Sequence, residues 1–287
     1  MGEGCLKQAV GAKALKGAAP LFDGWDETMI LSALQGIMGM VWTCGQKDDP
    51  PRAAVCENGD FVFFAGDAAS AEARVIAEAF RRRLGGRGAI LTPQTPAWLE
   101  LLKGVFGDTA RPGERYAIRK EGDCFDRERL RGFVHALPDG LRLRPIDRRL
   151  YDCVMEAEWS RDFCSQFGSA ERYLAHGLGV VALRGDELVG GASSYIYYKE
   201  GIEIEVDTRA DMRRRGIALA CCAQLILNAL DRGLYPSWDA ASRASVALAE
   251  KLGYREAAPM QFLKSMNEIR HIRSAAAPWV WRGIFPS

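Results

Sequence analysis

Three carboxylates spaced two residues apart are the part of this sequence best suited to acid–base chemistry or to binding a cation. Glu203, Glu205 and Asp207 alternate with apolar residues in the run IEIEVDT. This is the pattern of a β-strand, so the three side chains should share one face. A carboxylate that is partly removed from water has its pKa raised toward neutrality and can accept a proton. The same acidic stripe also attracts a positively charged ligand, and we expect this binding role more than formal base catalysis.

A basic loop and a helix follow the acidic strand. The loop contains Arg213–Arg215 and Gly216, and apolar residues at three- and four-residue spacing from Leu219 to Leu230 predict an amphipathic helix. The first amides of a helix have no intrahelical acceptor, and the helix dipole places partial positive charge there, so this end suits a phosphate. Gly216 permits close approach to the backbone, and guanidinium groups match phosphate oxygens. The alternative is a solvated basic turn before an ordinary core helix.

The spacing Arg213-x-x-Gly216-x-Ala218 resembles the pyrophosphate-binding loop of the GNAT superfamily of N-acetyltransferases. Residues 234–254, LYPSWDAASRASVALAEKLGY, resemble the strand, the helix and the closing K-L-G-F/Y that follow in that superfamily. Within this superfamily, the segments YPSWDA and LAEKLGY most resemble one branch, the group that includes the zwittermicin A resistance protein. In that group an N-terminal domain precedes the acetyltransferase domain. This resemblance covers most of the chain, and its sharpest motifs lie in residues 156–254.

The resemblance implies that an acetyl group passes from acetyl-CoA directly to an amine. Backbone groups near Val206 and Thr208 would pair with the pantetheine arm, and Glu203 and Glu205 would be the candidates for the proton acceptor. Either glutamate could instead be an ordinary strand residue facing solvent, and a relay through water would need neither. The full set of residues expected to hold the cosubstrate is Val206, Thr208, Arg213, Arg214, Arg215, Gly216, Ile217, Ala218 and Ser242.

The sequence departs from the superfamily pattern at two positions. Ser242 replaces an Asn that bonds pantetheine in many members, although Ser can still cap the following helix. Ala249 replaces a Tyr that protonates the departing thiolate. Tyr254 is our candidate for this acid and Tyr235 is a second one, whereas packing in the core is the alternative role for both. These departures weaken the expectation of catalysis more than that of coenzyme A binding.

Three further polar residues are expected to line the acceptor side of the cleft. Ser160 lies, with Asp162, where the first two helices of the implied fold flank this cleft. Ser193 belongs to the strand before the acidic one. Asp239 lies near the end of a strand predicted over residues 235–240, beside the wedge in which an open sheet takes its ligand.

The order of predicted elements indicates an α+β protein with two domains. Residues 1–137 are expected to form an N-terminal α/β domain, including a helix over 27–42 and a hairpin turn at Asn58-Gly59. Residues 138–287 are expected to form a GNAT domain with a mixed, mostly antiparallel sheet flanked by helices. In this domain residues 177–208 are predicted to form a meander of three strands, and Ser169 to cap the helix before it. The boundary is placed at the turn-rich segment 137–140. The resemblance suggests a degenerate second copy of the fold for the N-terminal half. Beyond Asn267, Trp279, Trp281 and Phe285 need a surface to cover them.

Composition excludes several classes of protein. The 287 residues include 38 basic and 37 acidic side chains, so nothing favours a nucleic acid or an anionic membrane as the partner. The sequence shows no signal peptide and no apolar run of 18 residues, which favours a cytoplasmic location. The 8 cysteines form no C-x-x-C pair and are expected to be free or buried thiols, and with 3 scattered histidines no metal site is expected.

These observations favour an N-acetyltransferase whose acceptor is a primary amine of a small molecule, of which an antibiotic-like aminopolyol is one example. One rival is a protein that binds or senses acyl-CoA without turnover, and another is an acetyltransferase for protein lysines or N-termini. Nucleic-acid binding through Arg213–Arg215 is a weak third, because three basic residues do not make a patch. The sequence leaves a homodimer open.

Overall fold

The computed structural model describes residues 6–45 and 49–265, and this part of the chain divides into two compact units. The first contains residues 6–45, 49–114 and 260–265, and the second contains residues 115–259. This division lies at 114/115, whereas the sequence analysis placed the domain boundary at 137/138, which stays a prediction. Residues 115–137 belong with the second unit because Ile118 and Leu130 are buried in its core.

The first unit is built on a mixed sheet. Its strands are β1 Leu6–Gln8, β2 Met40–Cys44, β3 Ala53–Asn58, β4 Phe61–Gly66 and β5 Ile90–Pro93, together with the first part of β6 Ala110–Ile118 and the last part of β13 Glu256–Ser265. The order across the sheet is β1-β2-β3-β4-β5-β13-β6, and β4 and β5 are parallel. A tight turn at Gly59 joins β3 and β4, which confirms the hairpin expected from Asn58-Gly59.

Helices cover the sheet of the first unit. They are α1 Ala12–Ala18, α2 Thr28–Leu34, α3 Ala71–Leu84 and α4 Pro96–Phe106. Ser70 caps α3 through a hydrogen bond from the Ala73 amide, and Phe80 and Trp98 pack their rings against Phe64. The single helix predicted over 27–42 is wrong. Gly36 and Gly39 have positive φ and end the helix, and β2 follows.

The second unit has its own sheet, in which the expected three-stranded meander is confirmed. Its strands are β7 Leu141–Pro145, β8 Gly179–Arg184, β9 Glu187–Tyr198, β10 Gly201–Thr208 and β11 Tyr235–Ser237. The order is β11-β10-β9-β8-β7, with β10 and β11 parallel and the other pairs antiparallel. An extra residue in β9 shifts the register between Glu203 and Ile204 of β10.

Five helices of the second unit are described. They are α5 Arg127–His135, α6 Arg148–Glu156, α7 Ala170–His176, α8 Ile217–Asp231 and α9 Arg243–Leu252. Ser169 caps α7 and Ser242 caps α9, as their types and positions predicted. The apolar face of α8 packs on Ile202, Ile204 and Val206 of β10, so these residues and the acidic ones lie on opposite faces of the strand.

The strand expected over residues 235–240 is two strands with different partners. β11 pairs with β10 only as far as Glu203 opposite Ser237. The chain then leaves at Trp238, and β12, Asp239–Ala240, pairs with Ala117 and Tyr116 of β6. Within the described residues, β10 beyond Glu203 therefore has β9 on one side and an open wedge on the other.

The two units repeat one order of elements. Each has an antiparallel meander, a helix (α3 or α8), a parallel strand (β5 or β11), a second helix (α4 or α9) and a last strand. The last strands are exchanged: β6, which follows α4, ends in the second unit beside β12, whereas β13, which follows α9, ends in the first unit beside β5. This repetition matches the expectation that the N-terminal half copies the fold of the C-terminal half.

Three further findings concern expectations from composition. Among the helices of residues 6–45 and 49–265, none is long and apolar enough to cross a membrane, and no group of metal-binding side chains is present in this part of the chain. Cys44 is disulfide-bonded, so the expectation of free thiols fails there, whereas Cys56 and Cys164 are among the free ones. The aromatic residues expected to need cover at 279, 281 and 285 lie outside the described residues.

Candidate active site

The loop before α8 presents backbone donors to a ligand. Gly216 takes the N-cap position with φ 81°, and Arg214 also has positive φ, at 63°. Ala220 donates to the Gly216 carbonyl at 3.1 Å, so the amides of residues 217–219 precede the intrahelical hydrogen bonds. No side chain caps this end. The exposed glycine and these amides fit the pyrophosphate of acetyl-CoA.

The three arginines of the loop have different surroundings. The Arg213 guanidinium donates to the Thr208 carbonyl at 2.9 Å and to the Asp207 carboxylate at 3.2 Å, so it fastens the loop to the end of β10. Arg215 donates to the Asp211 carbonyl at 3.4 Å, and Arg214 is exposed. The positive charge nearest the strand is therefore already paired within the protein.

Two amides expected to meet pantetheine donate to neighbouring carboxylates. The Thr208 amide donates to Asp207 Oδ1 at 2.6 Å, and the Val206 amide is hydrogen-bonded to the Glu205 carboxylate. These bonds occupy the edge of β10 beyond its last pair with β11. The roles of Val206 and Thr208 toward the cosubstrate remain predictions.

The acidic side chains of β10 face a short 3-10 turn, Arg161–Phe163. Glu205 lies opposite Ser193 and Asp207 lies opposite Gly191 in the antiparallel register with β9. Ser193 Oγ donates to the Phe163 carbonyl at 2.6 Å, so the turn covers this face. A side chain at Gly191 would collide with the Phe163 ring. This packing brings Asp162, from the turn, to the same face.

Three carboxyl groups influence one another on this face. Burial raises the pKa of Glu205 to about 8, and the charges of Asp162 and Asp207 add to the rise, whereas Arg115 opposes it. The residue keeps some exposure while its carboxyl group is enclosed. Burial also raises the pKa values of Asp162 and Asp207. Glu203, deeper in the strand, is buried at 4% exposure.

Arg115 is a site residue that the sequence did not reveal. Its Nε donates to Asp239 Oδ2 at 2.7 Å, and only 7% and 10% of the two side chains are exposed. Asp239 Oδ1 is buried and has no hydrogen-bond partner among the described residues. Because β6 meets β12 only through pairing between distant segments, no local pattern could have placed Arg115 beside Asp239.

Ser160 and Ser193, which were predicted near the acceptor, are buried and hydrogen-bonded, whereas Ser242, which was predicted to bind the cosubstrate, is half-buried and hydrogen-bonded. Ser160 Oγ donates to the Val154 carbonyl at 2.8 Å. Ser193 Oγ is also hydrogen-bonded to the Tyr173 hydroxyl at 2.8 Å. Ser242 Oγ accepts from the Ser245 amide as the cap of α9. Each hydroxyl has a structural partner, so their roles toward ligands remain predictions that this geometry does not favour.

Tyr254 is packed in the core. Its hydroxyl donates to the Pro236 carbonyl at 2.5 Å, and its ring contacts Phe125 and Trp238. Burial raises its pKa well above the ordinary value, which makes it a weaker proton donor in its ground state because the phenolate would be hard to form there. This placement favours packing over the role of thiolate acid. The pKa of Tyr235 is raised by burial as well.

Comparison with known proteins agrees with this geometry. The GNAT acetyltransferase family model matches residues 19–263. A GCN5-related N-acetyltransferase-like protein from Streptococcus suis 89/1591 is 41% identical, with a TM-score of 0.79, over 89% of this chain and 100% of that one. The uncharacterized N-acetyltransferase YdfB of Bacillus subtilis (strain 168) is 24% identical over 240 residues, which are 81% of this chain and 88% of YdfB.

The arrangement of two similar units also has a counterpart of known structure. A tandem GNAT protein from the clavulanic acid biosynthesis pathway superposes with a TM-score of 0.58 over 91% of this chain and 98% of that one. At 11% identity this likeness concerns the fold alone. Since the family model spans both units, the chain belongs to the GNAT acetyltransferase family and is an N-acetyltransferase.

Proposed function

We propose that the second unit transfers the acetyl group of acetyl-CoA to a primary amine of a small cationic molecule. The observation that carries this proposal is the position of Glu205, whose enclosed carboxyl group lies with Asp162 and Asp207 beside the wedge of β10. Four acidic side chains, with Asp239, are balanced there by Arg115 and Arg213. The remaining negative charge suits an ammonium group.

The chain offers a fitting place for the cosubstrate. The amides after Gly216 would hold the pyrophosphate, and the open edge of β10 would hold the pantetheine arm. When bound, acetyl-CoA supplies the activated thioester. Binding in the wedge would compete with the bonds that Glu205 and Asp207 accept from the amides of Val206 and Thr208.

Glu205 is the proton acceptor in this mechanism. With a pKa of about 8 it is mostly protonated near neutral pH in the free protein. An ammonium group in the cleft lowers that pKa, since an opposite charge stabilises the ionised carboxylate. Glu205 then takes the proton from the nitrogen, whose freed lone pair can attack the acetyl carbonyl. As the C–N bond forms and the thioester C–S bond breaks, the nitrogen loses its second proton, which neutralises the departing thiolate. Asp162 and Asp207 hold the charged acceptor in place.

Asp239 suggests a further feature of the amine substrate, namely a second group that donates a hydrogen bond. Its unpartnered oxygen is buried at the border of the wedge, and leaving such an oxygen without a hydrogen bond costs about 1–3 kcal/mol. A hydroxyl or second amino group of the acceptor would restore that bond. This agrees with an aminopolyol acceptor, the class suggested by the resemblance to the zwittermicin A resistance branch.

Release of free thiol from acetyl-CoA tests the proposal directly. The panel contains simple amines, aminopolyols and lysine peptides. We expect turnover with small amines, highest with aminopolyols, and a fall in kcat/KM of about 10²- to 10⁴-fold in Glu205→Gln. Glu250→Gln, at an exposed position of α9, is the matched control and should be unchanged.

The other outcomes separate the rival functions. Turnover of peptides but not of small amines would assign the enzyme to protein acetylation. Coenzyme A binding by calorimetry without turnover of any amine would favour the role of an acyl-CoA sensor. Full activity in Glu205→Gln would show that the proton leaves through water, as the sequence left open.

A further inference from the structure

A buried ion pair borders the proposed acetyl-transfer cleft. Arg115 and Asp239 are joined at 2.7 Å with almost no exposure. Arg115 lies two positions before Ala117, the residue of β6 that pairs with Asp239, so the register itself brings the two side chains together. Apolar residues of equal volume would often stabilise a protein as well as a buried ion pair does. The pair therefore calls for an explanation other than stability.

The guanidinium group restricts one oxygen of Asp239. Oδ2 is held by Arg115, whereas Oδ1 has no partner among the described residues. Asp239 lies two positions after Ser237, where β11 makes its last pair with β10. An anchored carboxylate with one oxygen still available is a preorganised hydrogen-bond acceptor.

Arg115 also acts on the charge around Glu205. The groups that influence Glu205 are Asp162 from the 3-10 turn, Asp207 from β10 and Arg115 from β6, while the Cys222 thiol lies on the α8 side. Arg115 is the cation in this set, because the Arg213 guanidinium is bonded to Asp207. Without Arg115, the carboxylates of the cleft would face a larger excess of negative charge.

We propose that Arg115 is a positioning residue of the acetyl-transfer site, which anchors Asp239 and balances the carboxylates around Glu205 without touching either substrate. The proposal rests on the proposed function, because it takes Glu205 as the proton acceptor. It gives strand β6, which the chain delivers from its N-terminal half, a part in the reaction.

Two variants of the full-length enzyme move the pH profile in opposite directions. Arg115→Met removes a positive charge, so the midpoint of the ascending limb in the plot of kcat/KM against pH should move to higher pH by on the order of one unit. Asp239→Asn removes a negative charge from the same surroundings, so this midpoint should move to lower pH by a similar amount. Arg115→Lys should keep the limb within a few tenths of wild type while raising KM for the acceptor, since Lys cannot reproduce the guanidinium geometry.

An exposed ion pair provides the matched control. Arg127 and Asp231 are 2.6 Å apart with 41% and 65% of their side chains exposed, so Arg127→Met and Asp231→Asn should leave the limb in place. Shifts of Arg115→Met and Asp239→Asn in the same direction, or no shift, would overturn the proposal. If Arg115→Met does not fold, the downward shift in Asp239→Asn and the KM effect in Arg115→Lys decide the question.

One further measurement distinguishes the role of Arg115 from the proposed function on which it rests. Carbon-13 NMR of labelled glutamate carboxyl groups reports the Glu205 titration without any turnover. If Glu205→Gln retains full activity, the proton-acceptor role fails, yet opposite NMR shifts in the two variants would still establish the charge coupling. If Glu205→Gln is inactive and neither variant changes the titration, Arg115 has no positioning role.

Discussion

At the scale of single residues, the site combines features that lower stability with features that enable chemistry. Glu205 has a pKa of about 8 because its carboxyl group is enclosed and lies near Asp162 and Asp207. A raised native pKa means that the folded protein binds a proton more tightly than the unfolded chain does. The alternation of the sequence pointed to Glu205, but its neighbour Asp162 became a cleft residue only through the packing of the 3-10 turn on β9.

The raised pKa makes stability depend on pH in a defined direction. The contribution of Glu205 is fully favourable below the ordinary glutamate pKa of 4.5 and is lost as pH rises through about 8. Glu205→Gln should therefore be more stable than wild type at pH 8.5, by about 1 kcal/mol or more, while losing activity. Urea unfolding at pH 5 and pH 8.5 measures this difference. Equal stability of the two proteins at pH 8.5 would contradict an enclosed, proton-retaining carboxyl group.

The same residue should couple acceptor binding to proton release. A cationic amine stabilises the ionised form of Glu205, so at pH 7 each binding event should release up to about one proton, because most molecules are protonated beforehand. Calorimetry of an unreactive cationic analogue in buffers with different ionisation enthalpies measures the number released. Glu205→Gln should release none, and an unchanged proton count in that variant would assign the effect to another group.

At the scale of elements, the junction between β10 and α8 depends on the backbone of one glycine. An added Cβ at Gly216 would meet no atom within 4 Å, so the constraint there is conformational, with φ at 81°. Gly132 in α5 has equally open surroundings and ordinary helical geometry, which makes it a matched control. Both positions are exposed glycines of the second unit.

Alanine at these two glycines should have opposite effects on stability. Gly216→Ala should cost about 1–2 kcal/mol, because a left-handed backbone is unfavourable for residues with a Cβ, and should weaken coenzyme A binding. Gly132→Ala should stabilise α5 by about 0.5–1 kcal/mol and leave binding unchanged. Thermal unfolding and calorimetry with coenzyme A follow the two properties. A stabilising Gly216→Ala with normal affinity would argue against the loop as the phosphate site.

Local patterns predicted the elements whose partners are near in sequence. The meander, α8 and the Ser242 cap depend on alternation, helical spacing and a neighbouring amide, and all three are confirmed. The break at Trp238 was missed because β12 pairs with β6, a strand far away in the sequence. Residues 235–240 alone contain no pattern that indicates this pairing. The Arg115–Asp239 pair was missed for the same reason.

At the scale of the whole molecule, the sequence placed the domain boundary at a turn, whereas burial places residues 115–137 in the second unit. The segment 137–140 is rich in turn-forming residues, but α5 packs against α8 and buries Leu130. Composition marks where a chain can turn, and buried contacts decide which segments fold together.

Two matched fragments test this division. Residues 115–259 should unfold more cooperatively than residues 138–259, because the shorter fragment lacks Ile118 and Leu130, and fully burying one such side chain contributes about 1.5–3 kcal/mol. Near-ultraviolet circular dichroism during heating compares the two. An equal unfolding midpoint and an equally steep transition in both fragments would favour the predicted boundary at 137/138 instead.

The exchange of β6 and β13 has a consequence for recombination within this family. A chimera with one crossover near the middle would place the first parent's β6 beside the second parent's β12, so Arg115 and Asp239 would come from different ancestors. A hybrid keeps both strand pairs intact only if β6 and β12 come from one parent and β5 and β13 come from one parent. This requires two crossovers. Exchange of segments between family members should therefore give active hybrids when paired strands are exchanged together. It should fail when the N-terminal and C-terminal halves of the sequence are exchanged as single blocks.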